Sequence, residues 1–191
     1  ANNKINLVAP NDIPHLKAHI TDSLLLAPAL PESSQHCIDL GSGGGLPVIP
    51  LAIVFPDKKF TAVDSAQRKC EFLEYAKIKL ELQNLSVHHS RAEDLTDLHN
   101  SFDIVTARAL APLRELILLC EPFISPEGTM LCLKGSRYKE ELSEAQEVLS
   151  EYSLQIVTEE TFKKIQGRDF SAVLGFRRKA AGKDHQPTEN T

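Results

Sequence analysis

The chain has no tryptophan and only three tyrosines in 191 residues, so flat rings for stacking on a base are scarce. It has no run of about 18 apolar residues, which leaves no candidate for a membrane-spanning helix. No charged-then-apolar leader opens it, so nothing directs it to secretion. Ala1 stands where an initiator methionine would, and the natural start is expected upstream. The four cysteines, Cys37, Cys70, Cys120 and Cys132, are far apart and form no C-x-x-C, the spacing a zinc site or redox pair would use. Three of them sit in apolar runs, where a reduced cysteine is a small core residue; this favours the cytoplasm. Excess positive charge is also missing. The formal net charge is -5, which counts against a generally nucleic-acid-coating protein. The charge is uneven, however. From Thr161 to Lys183 there are seven basic residues (Lys163, Lys164, Arg168, Arg177, Arg178, Lys179, Lys183) and one acid (Asp169), a local +6. Such a patch either docks phosphate or is a solvated edge strand with a tail.

The length fits one domain able to bury a core without disulfides. Asn11 or Asp12 can cap a helix with Pro14 in its first turn; it would carry His15, His19, Asp22 and Ser23 and end before Pro28 and Pro31. From there strands and helices alternate. Strands are read at 36–40, 59–64, 85–89, 102–106 and 128–133, and helices at 47–55, 66–82, 112–123 and 138–152. Two further strands, 154–159 and 170–178, come nearly back to back. The alternation predicts a doubly wound α/β sheet, mostly parallel with right-handed crossovers, and the final pair an antiparallel hairpin at its edge. Residues 1–31 are expected to be a helical segment packed on a domain of residues 32–179, with a disordered tail at 180–191.

The most informative stretch is Asp39-Leu40-Gly41-Ser42-Gly43-Gly44-Gly45, between the first strand and the next helix. Ligands of such sheets bind beyond the carboxyl ends of the strands, where glycines let backbone approach a cofactor. A dinucleotide fingerprint needs a further glycine at position 46, which is Leu46, and no G-K-[ST] is present to make a P-loop. The pattern is acid-x-G-x-G-x-G, the spacing of class I (Rossmann-like) methyltransferases, which use S-adenosylmethionine. Asp64 ends the second strand, 23 residues after Gly41, where a carboxylate can accept both hydroxyls of a ribose. It can equally cap the helix that begins after Ser65. The polar run Ser90 to Asp94 after the third strand can read an adenine edge or simply cap a turn.

Taken together, these segments resemble one family, the bacterial 16S ribosomal RNA guanine-N7 methyltransferases (glucose-inhibited division protein B). The resemblance rests on DLGSGGGLPVIPLAI over 39–53, on Asn6-Leu7, and on His19-x-x-Asp22-Ser23-Leu24. Asp64-Ser65 with Arg68-Lys69-x-x-Phe72-Leu73, Arg91-Ala92-Glu93, Ala107-Arg108-Ala109 and Leu133-Lys134-Gly135 extend it across residues 4–178. It implies methyl transfer from S-adenosylmethionine to N7 of a guanine in the decoding-centre loop, with 16S RNA or a small ribosomal subunit precursor as partner. Apart from the resemblance, no membrane partner is expected, and a monomer is. The cofactor set the resemblance implies, joined to the loop and strand-end residues above, is Gly41, Gly43, Leu46, Asp64, Ser65, Ala92, Glu93 and Arg108. Two departures stand out: Val48 replaces a usual glycine, and the helical segment that members carry ahead of Asn6 lies outside this sequence.

Guanine N7 carries a lone pair and no proton, so this chemistry demands alignment rather than a general base. No catalytic proton-transfer residue is therefore expected. An amine- or hydroxyl-directed methyltransferase acting on a small molecule or protein would instead want a base, for which His19, Asp22, His88 and His89 are available. A third possibility is a nucleoside- or RNA-binding module without catalysis. Arg108 is a candidate for guanine O6, a phosphate or the cofactor, against an ion pair with Glu93 or Asp39. His19 and Asp22, with Ser23, share one helix face and form either a site wall or a buried network. Lys134 and Arg137 come after the fifth strand and can hold phosphate or stand in solvent. Tyr138, Phe123 and Phe170 are the rings available for a flipped base to stack on. His88 and His89 point to opposite faces of a strand, so no metal is expected.

Overall fold

A computed structural model of the protein describes residues 16–108, 111–165 and 168–179, with the side chains of 164, 165, 168 and 169 outside that description. The elements run α1 (Leu16–Leu24), β1 (His36–Leu40), α2 (Val48–Val54), β2 (Lys59–Asp64), α3 (Gln67–Lys79), β3 (Leu85–His89), β4 (Phe102–Arg108), α4 (Leu113–Cys120), β5 (Ile124–Lys134), α5 (Tyr138–Glu144), α6 (Gln146–Glu151), β6 (Leu154–Ile165) and β7 (Arg168–Arg178). The expected cap at Asn11 or Asp12 lies outside the described residues. All seven strands join one sheet in the order β3-β2-β1-β4-β5-β7-β6. β1 to β5 pair in parallel, while β7 is antiparallel to both β5 and β6. The order turns between β1 and β4, which opens the crevice where such sheets bind ligands.

The closing pair is the expected antiparallel hairpin at the sheet edge, with strands longer than predicted. Its last strand inserts between β5 and β6, leaving β6 at the edge. Gly175 shows why the insertion needs a glycine. A Cβ there would meet Thr158 of β6 at 2.9 Å and Leu131 of β5 at 3.1 Å. The helix expected over 138–152 is two short helices that abut at Ala145.

Strand alternation divides the core in two. Ile38, Leu40, Val105, Ala107, Met130 and Cys132 face α4, α5 and α6. Cys37, Ile104, Leu131 and Leu133 face α2 and α3. The same alternation sends Arg108 to the α1–α2 side of the sheet and Lys134 to the α4–α5 side. Cysteines 37, 70, 120 and 132 are all buried and free. Burial pushes the Cys37 and Cys132 thiols up to about 12, so they are inert filler rather than nucleophiles. Among the described residues no helix is long and apolar enough to cross a membrane.

Helix α1 packs with its polar face inward. Ala18, His19, Asp22 and Ser23 are buried while Leu16 and Ile20 stay exposed. A helix turns that way only if the strand ends beneath it offer hydrogen bonds. They do: Ser171 Oγ of β7 donates to Asp22 Oδ1 at 3.2 Å, and Arg108 Nη1 of β4 donates to the His19 carbonyl at 3.1 Å.

A buried lysine anchors the entry to β1. Lys58 Nζ donates to the carbonyls of Pro31, Glu32 and Ser34 at 3.1, 3.0 and 2.5 Å, one for each ammonium proton. Lys58→Met keeps the stem and removes those bonds; Pro31 keeps the Ser34 amide and hydroxyl as donors, whereas the buried Ser34 carbonyl loses the ammonium. The substitution should lower unfolding free energy by about 2–3 kcal/mol in a denaturant titration; a change below about 0.5 kcal/mol would mean that water replaces the ammonium there.

Candidate functional site

The loop after β1 is held open by its glycines. Gly41, Gly43 and Gly45 all have positive φ (68°, 53° and 81°), which places every second residue of the turn in the left-handed region. A Cβ on Gly45 would also run into the Ile49 side chain. Ser42, between them, ties the loop to the sheet. Its amide donates to the Val63 carbonyl at 2.9 Å, its hydroxyl donates to the Asp39 carbonyl at 2.9 Å, and the same hydroxyl accepts from the Val63 amide at 3.2 Å.

Asp64, at the end of β2, completes the loop. Its Oδ2 accepts the Gly43 amide at 2.9 Å, its Oδ1 accepts the Ala66 amide at 2.9 Å, and Lys69 Nζ stands 3.7 Å from Oδ2. The amide that Oδ1 accepts belongs to Ala66, the residue that precedes α3, so Asp64 closes the turn before the helix and does not cap its first turn. It also faces a cleft that exposes the glycine loop.

That cleft, of about 840 Å³, runs along the carboxyl ends of the strands. At its β1–β2–β3 end lie Gly41, Gly43, Leu46, Asp64 and Ser65, with Ala92 and Glu93 beyond β3. At its β4–β5 end lie Arg108, Lys134 and Gly135, walled by His19 and Asp22 of α1. Arg137 does not line it. It is exposed just before α5 and paired with Glu140, three residues on, at 3.0 Å. His88 and His89 do not line it either; His89 Nε2 contacts the Ser65 carbonyl at 3.1 Å. Val48 is buried in the core beneath the sheet, so the departure from glycine does not narrow the cleft.

Several candidates carry structural duties as well. Lys134 Nζ pairs with Glu141 at 2.8 Å and donates to the Ala111 carbonyl at 2.9 Å. Phe123 is buried edge-on against His99, and Tyr138 is buried and stacks on Phe170 at 5.7 Å. Of these three rings only Phe170 is half-exposed. The basic patch also thins. Arg178 turns to Glu121 Oε1 at 2.6 Å and to the Ile124 carbonyl, and Arg177 donates to Thr129 Oγ1. Lys163 is exposed on β6, whereas the side chains of Lys164 and Arg168, and Lys183, lie outside the described residues.

Sequence reasoning missed Lys69, Glu141 and Ser171, all of which line the cleft. Lys69 had a local signal, one turn into the helix after Asp64. Glu141 and Ser171 had none, because only the packing of α5 and the insertion of β7 bring them to the site. Among the described residues no group of three or more His, Cys, Asp or Glu side chains is placed to hold a metal ion.

The strand order, the glycine loop and the strand-end acid define a class I, Rossmann-like methyltransferase fold. Solved structures agree at the level of fold. A SAM-dependent methyltransferase from Aquifex aeolicus superposes with a TM-score of 0.66 at 15% identity, covering 92% of this chain and 98% of that one. M. jannaschii TYW2 in complex with AdoMet gives 0.67 at 16% identity over 85% of this chain and 77% of that one. Sequence comparison is narrower. The profile of the GidB family, rRNA small subunit methyltransferase G, matches residues 1–169, and the chain belongs to that family. It is 46% identical to the ribosomal RNA small subunit methyltransferase G of Sorangium cellulosum over 153 residues, 78% of this chain and 64% of that protein. It is 33% identical to that of Syntrophus aciditrophicus over 184 residues, 93% of this chain and 76% of that protein. The chain thus spans less than two thirds of the length of the Sorangium relative.

Asp39 lies behind the loop, on the α1–α2 side of the sheet and in register with Thr106 of β4. Thr106 Oγ1 donates to its Oδ1 at 2.7 Å, while its buried Oδ2 has no hydrogen-bond partner among the described residues. Burial raises its carboxyl from 3.8 to about 6, against the opposing pull of the Thr106 and Ser42 hydroxyls and the Arg108 cation. An acid raised on folding keeps in the folded state a proton that the unfolded chain has released. Its contribution to stability is therefore lost as pH rises from about 4 to about 6, by up to about 3 kcal/mol. Asp39→Asn should remove that slope. Unfolding titrations of both proteins at pH 4.5 and 7 measure it, and parallel pH profiles would show that Asp39 is solvated.

Proposed function

We propose that the cleft binds S-adenosylmethionine at its β1–β2–β3 end and accepts, at its β4–β5 end, a guanine of the 16S ribosomal RNA decoding-centre loop, whose N7 receives the methyl group. The reading is carried by one observation: the strand-end acid Asp64 and the β4 arginine Arg108 open onto the same cleft. Family membership supports ribosomal RNA as the acceptor, since the similar proteins of Sorangium and Syntrophus are named for that activity.

The residues present fit the cofactor. Asp64 holds the Gly43 and Ala66 amides with one bond to each oxygen, which leaves a lone pair on each for a ribose hydroxyl. The glycine loop carries no Cβ at Gly41, Gly43 or Gly44, so its backbone can lie against a ligand. Ala92 is half-buried and Glu93 exposed where a base would lie. When bound, the sulfonium supplies an already activated methyl group. The protein's part is then to orient the acceptor and keep water out. Arg108 is suited to hold guanine O6 and leave N7 free. It already donates to the His19 carbonyl and so is held toward the cleft from α1.

Incubation with labelled S-adenosylmethionine and either naked 16S RNA or small-subunit particles, followed by nucleoside analysis, should yield 7-methylguanosine. Methyl transfer to another base would move the specificity, and absence of binding of both S-adenosylmethionine and S-adenosylhomocysteine at millimolar concentration would end the reading. Asp64→Ala should weaken S-adenosylhomocysteine binding at least tenfold by calorimetry, because a carboxylate pairing two hydroxyls is lost together with the Gly43 clamp. Unchanged affinity would reduce Asp64 to a residue of the turn before α3.

A further inference from the structure

The β4–β5 end of the cleft contains a partly buried ion pair that the proposed methyl transfer leaves without a task. Lys134 ends β5 with its side chain 8% exposed, and Glu141 sits on α5 at 20%. Their separation is 2.8 Å. The pair does not stand alone. Lys134 Nζ donates to the carbonyl of Ala111 at 2.9 Å, and Glu141 Oε2 accepts the amide of Leu113 at 2.8 Å. Ala111 and Leu113 flank Pro112, at the entry to α4, and Ala111 itself lines the cleft. One carbonyl and one amide of this short segment are therefore gripped by opposite charges, two residues apart.

Each half of the grip is well matched. A carboxylate at the first residue of a helix meets an amide that has no partner within the helix, along with the positive end of the helix dipole. An ammonium bonded to a carbonyl and a carboxylate has its charge neutralised at 2.8 Å, which makes it a poor trap for phosphate. Breaking such a pair leaves an uncompensated buried charge, so the grip holds as a unit.

We infer that Lys134 and Glu141 are a positioning pair for methyl transfer: through the backbone of Ala111 and Leu113 they fix the cleft wall against which the acceptor is placed. The inference rests on the methyl-transfer function proposed for the cleft. Neither side chain needs to touch the reacting atoms. In-line transfer tolerates little displacement, and a misplacement of about 1 Å can cost about a hundredfold in rate.

The test uses Lys134→Met, Glu141→Gln and the double variant on the 191-residue chain. Four quantities are measured: S-adenosylhomocysteine affinity, kcat and KM on 16S RNA with their salt dependence, and hydrogen exchange of the Leu113 amide. Each single variant should keep cofactor affinity within about threefold and KM within about threefold, and lower kcat about tenfold or more. The double variant should lose no more than the worse single one, as expected of groups acting as a unit. Exchange at Leu113 should quicken at least tenfold in every variant. A raised KM with a flatter salt slope in Lys134→Met alone would make Lys134 a phosphate contact and overturn the inference. Unchanged kcat per folded molecule, with only the melting temperature lowered, would reduce the pair to a structural role and also overturn it. If the unaltered chain binds cofactor yet methylates no RNA, the functional reading fails. Exchange at Leu113 then still decides whether the grip exists, and no quickening overturns it.

Discussion

The bond from the Gly43 amide to Asp64 Oδ2 joins two parts of the chain that the sheet alone would leave apart. β1 and β2 run parallel and end side by side, with Leu40 in register with Val63. Beyond those ends the backbone diverges: a glycine turn leads into α2 on one side, a tight turn into α3 on the other. Asp64 stops that divergence by holding Gly43 with one oxygen and Ala66 with the other. Ser42 reinforces it one residue earlier through its two-way pairing with Val63. The floor of the cleft is thus set by backbone amides on a single carboxylate. Three alternate glycines at positive φ are the backbone condition for that arrangement.

The opposite wall is built by different means. β4 ends in Arg108 and β5 in Lys134, and strand alternation sends them to opposite faces. Arg108 reaches α1, where it bonds the His19 carbonyl and lies 3.4 Å from Ser23 Oγ. Lys134 reaches α5 and the entry of α4. The cleft is therefore braced on both faces of the sheet by cations whose bonds run to backbone carbonyls. This explains the inverted helix α1. Its buried His19, Asp22 and Ser23 accept from donors on β4 and β7, and its apolar Leu16 and Ile20 are left outside.

The β1–β2–β3 end of the cleft was legible because local chemistry dictates its shape. Gly41, Gly43 and Asp64 are specified by turn geometry and strand ends, which short-range sequence reports directly. Four of the parallel strands were legible for the same reason, since β1, β2, β4 and β5 are largely buried apolar runs between turns. β3 buries only Leu85 and was legible from its place in the alternation. The β4–β5 end was legible only as a set of residue names. Lys134 reads the same in sequence whether it meets phosphate or Glu141, because the partner lies seven residues on and across a helix start. Ser171 comes to the cleft only because β7 inserts beside β5, and a back-to-back strand pair does not announce which member is central. Arg177 and Arg178 look like part of a basic patch until the end of β7 packs against Glu121 and Thr129. Long-range partners decide the fate of charges, and sequence spacing is silent about them.

Three carboxylates at this end of the sheet, Asp39 and Asp64 buried and Glu141 partly so, show how differently a fold can treat the same group. Asp64 is satisfied by amides, with Lys69 at 3.7 Å. Glu141 is satisfied by an ammonium and an amide at 2.8 Å each. Asp39 keeps one buried oxygen without a partner among the described residues, and its carboxyl is pushed up to about 6. Burial of an unmatched polar oxygen is a cost that an apolar residue would avoid. The first two carboxylates hold backbone in place, and their bonds suffice to account for them. Asp39 already has its bond from Thr106, and the second oxygen adds nothing to the packing of β1 against β4. Stability does not explain that oxygen, and it stands directly behind the loop where the cofactor is proposed to bind.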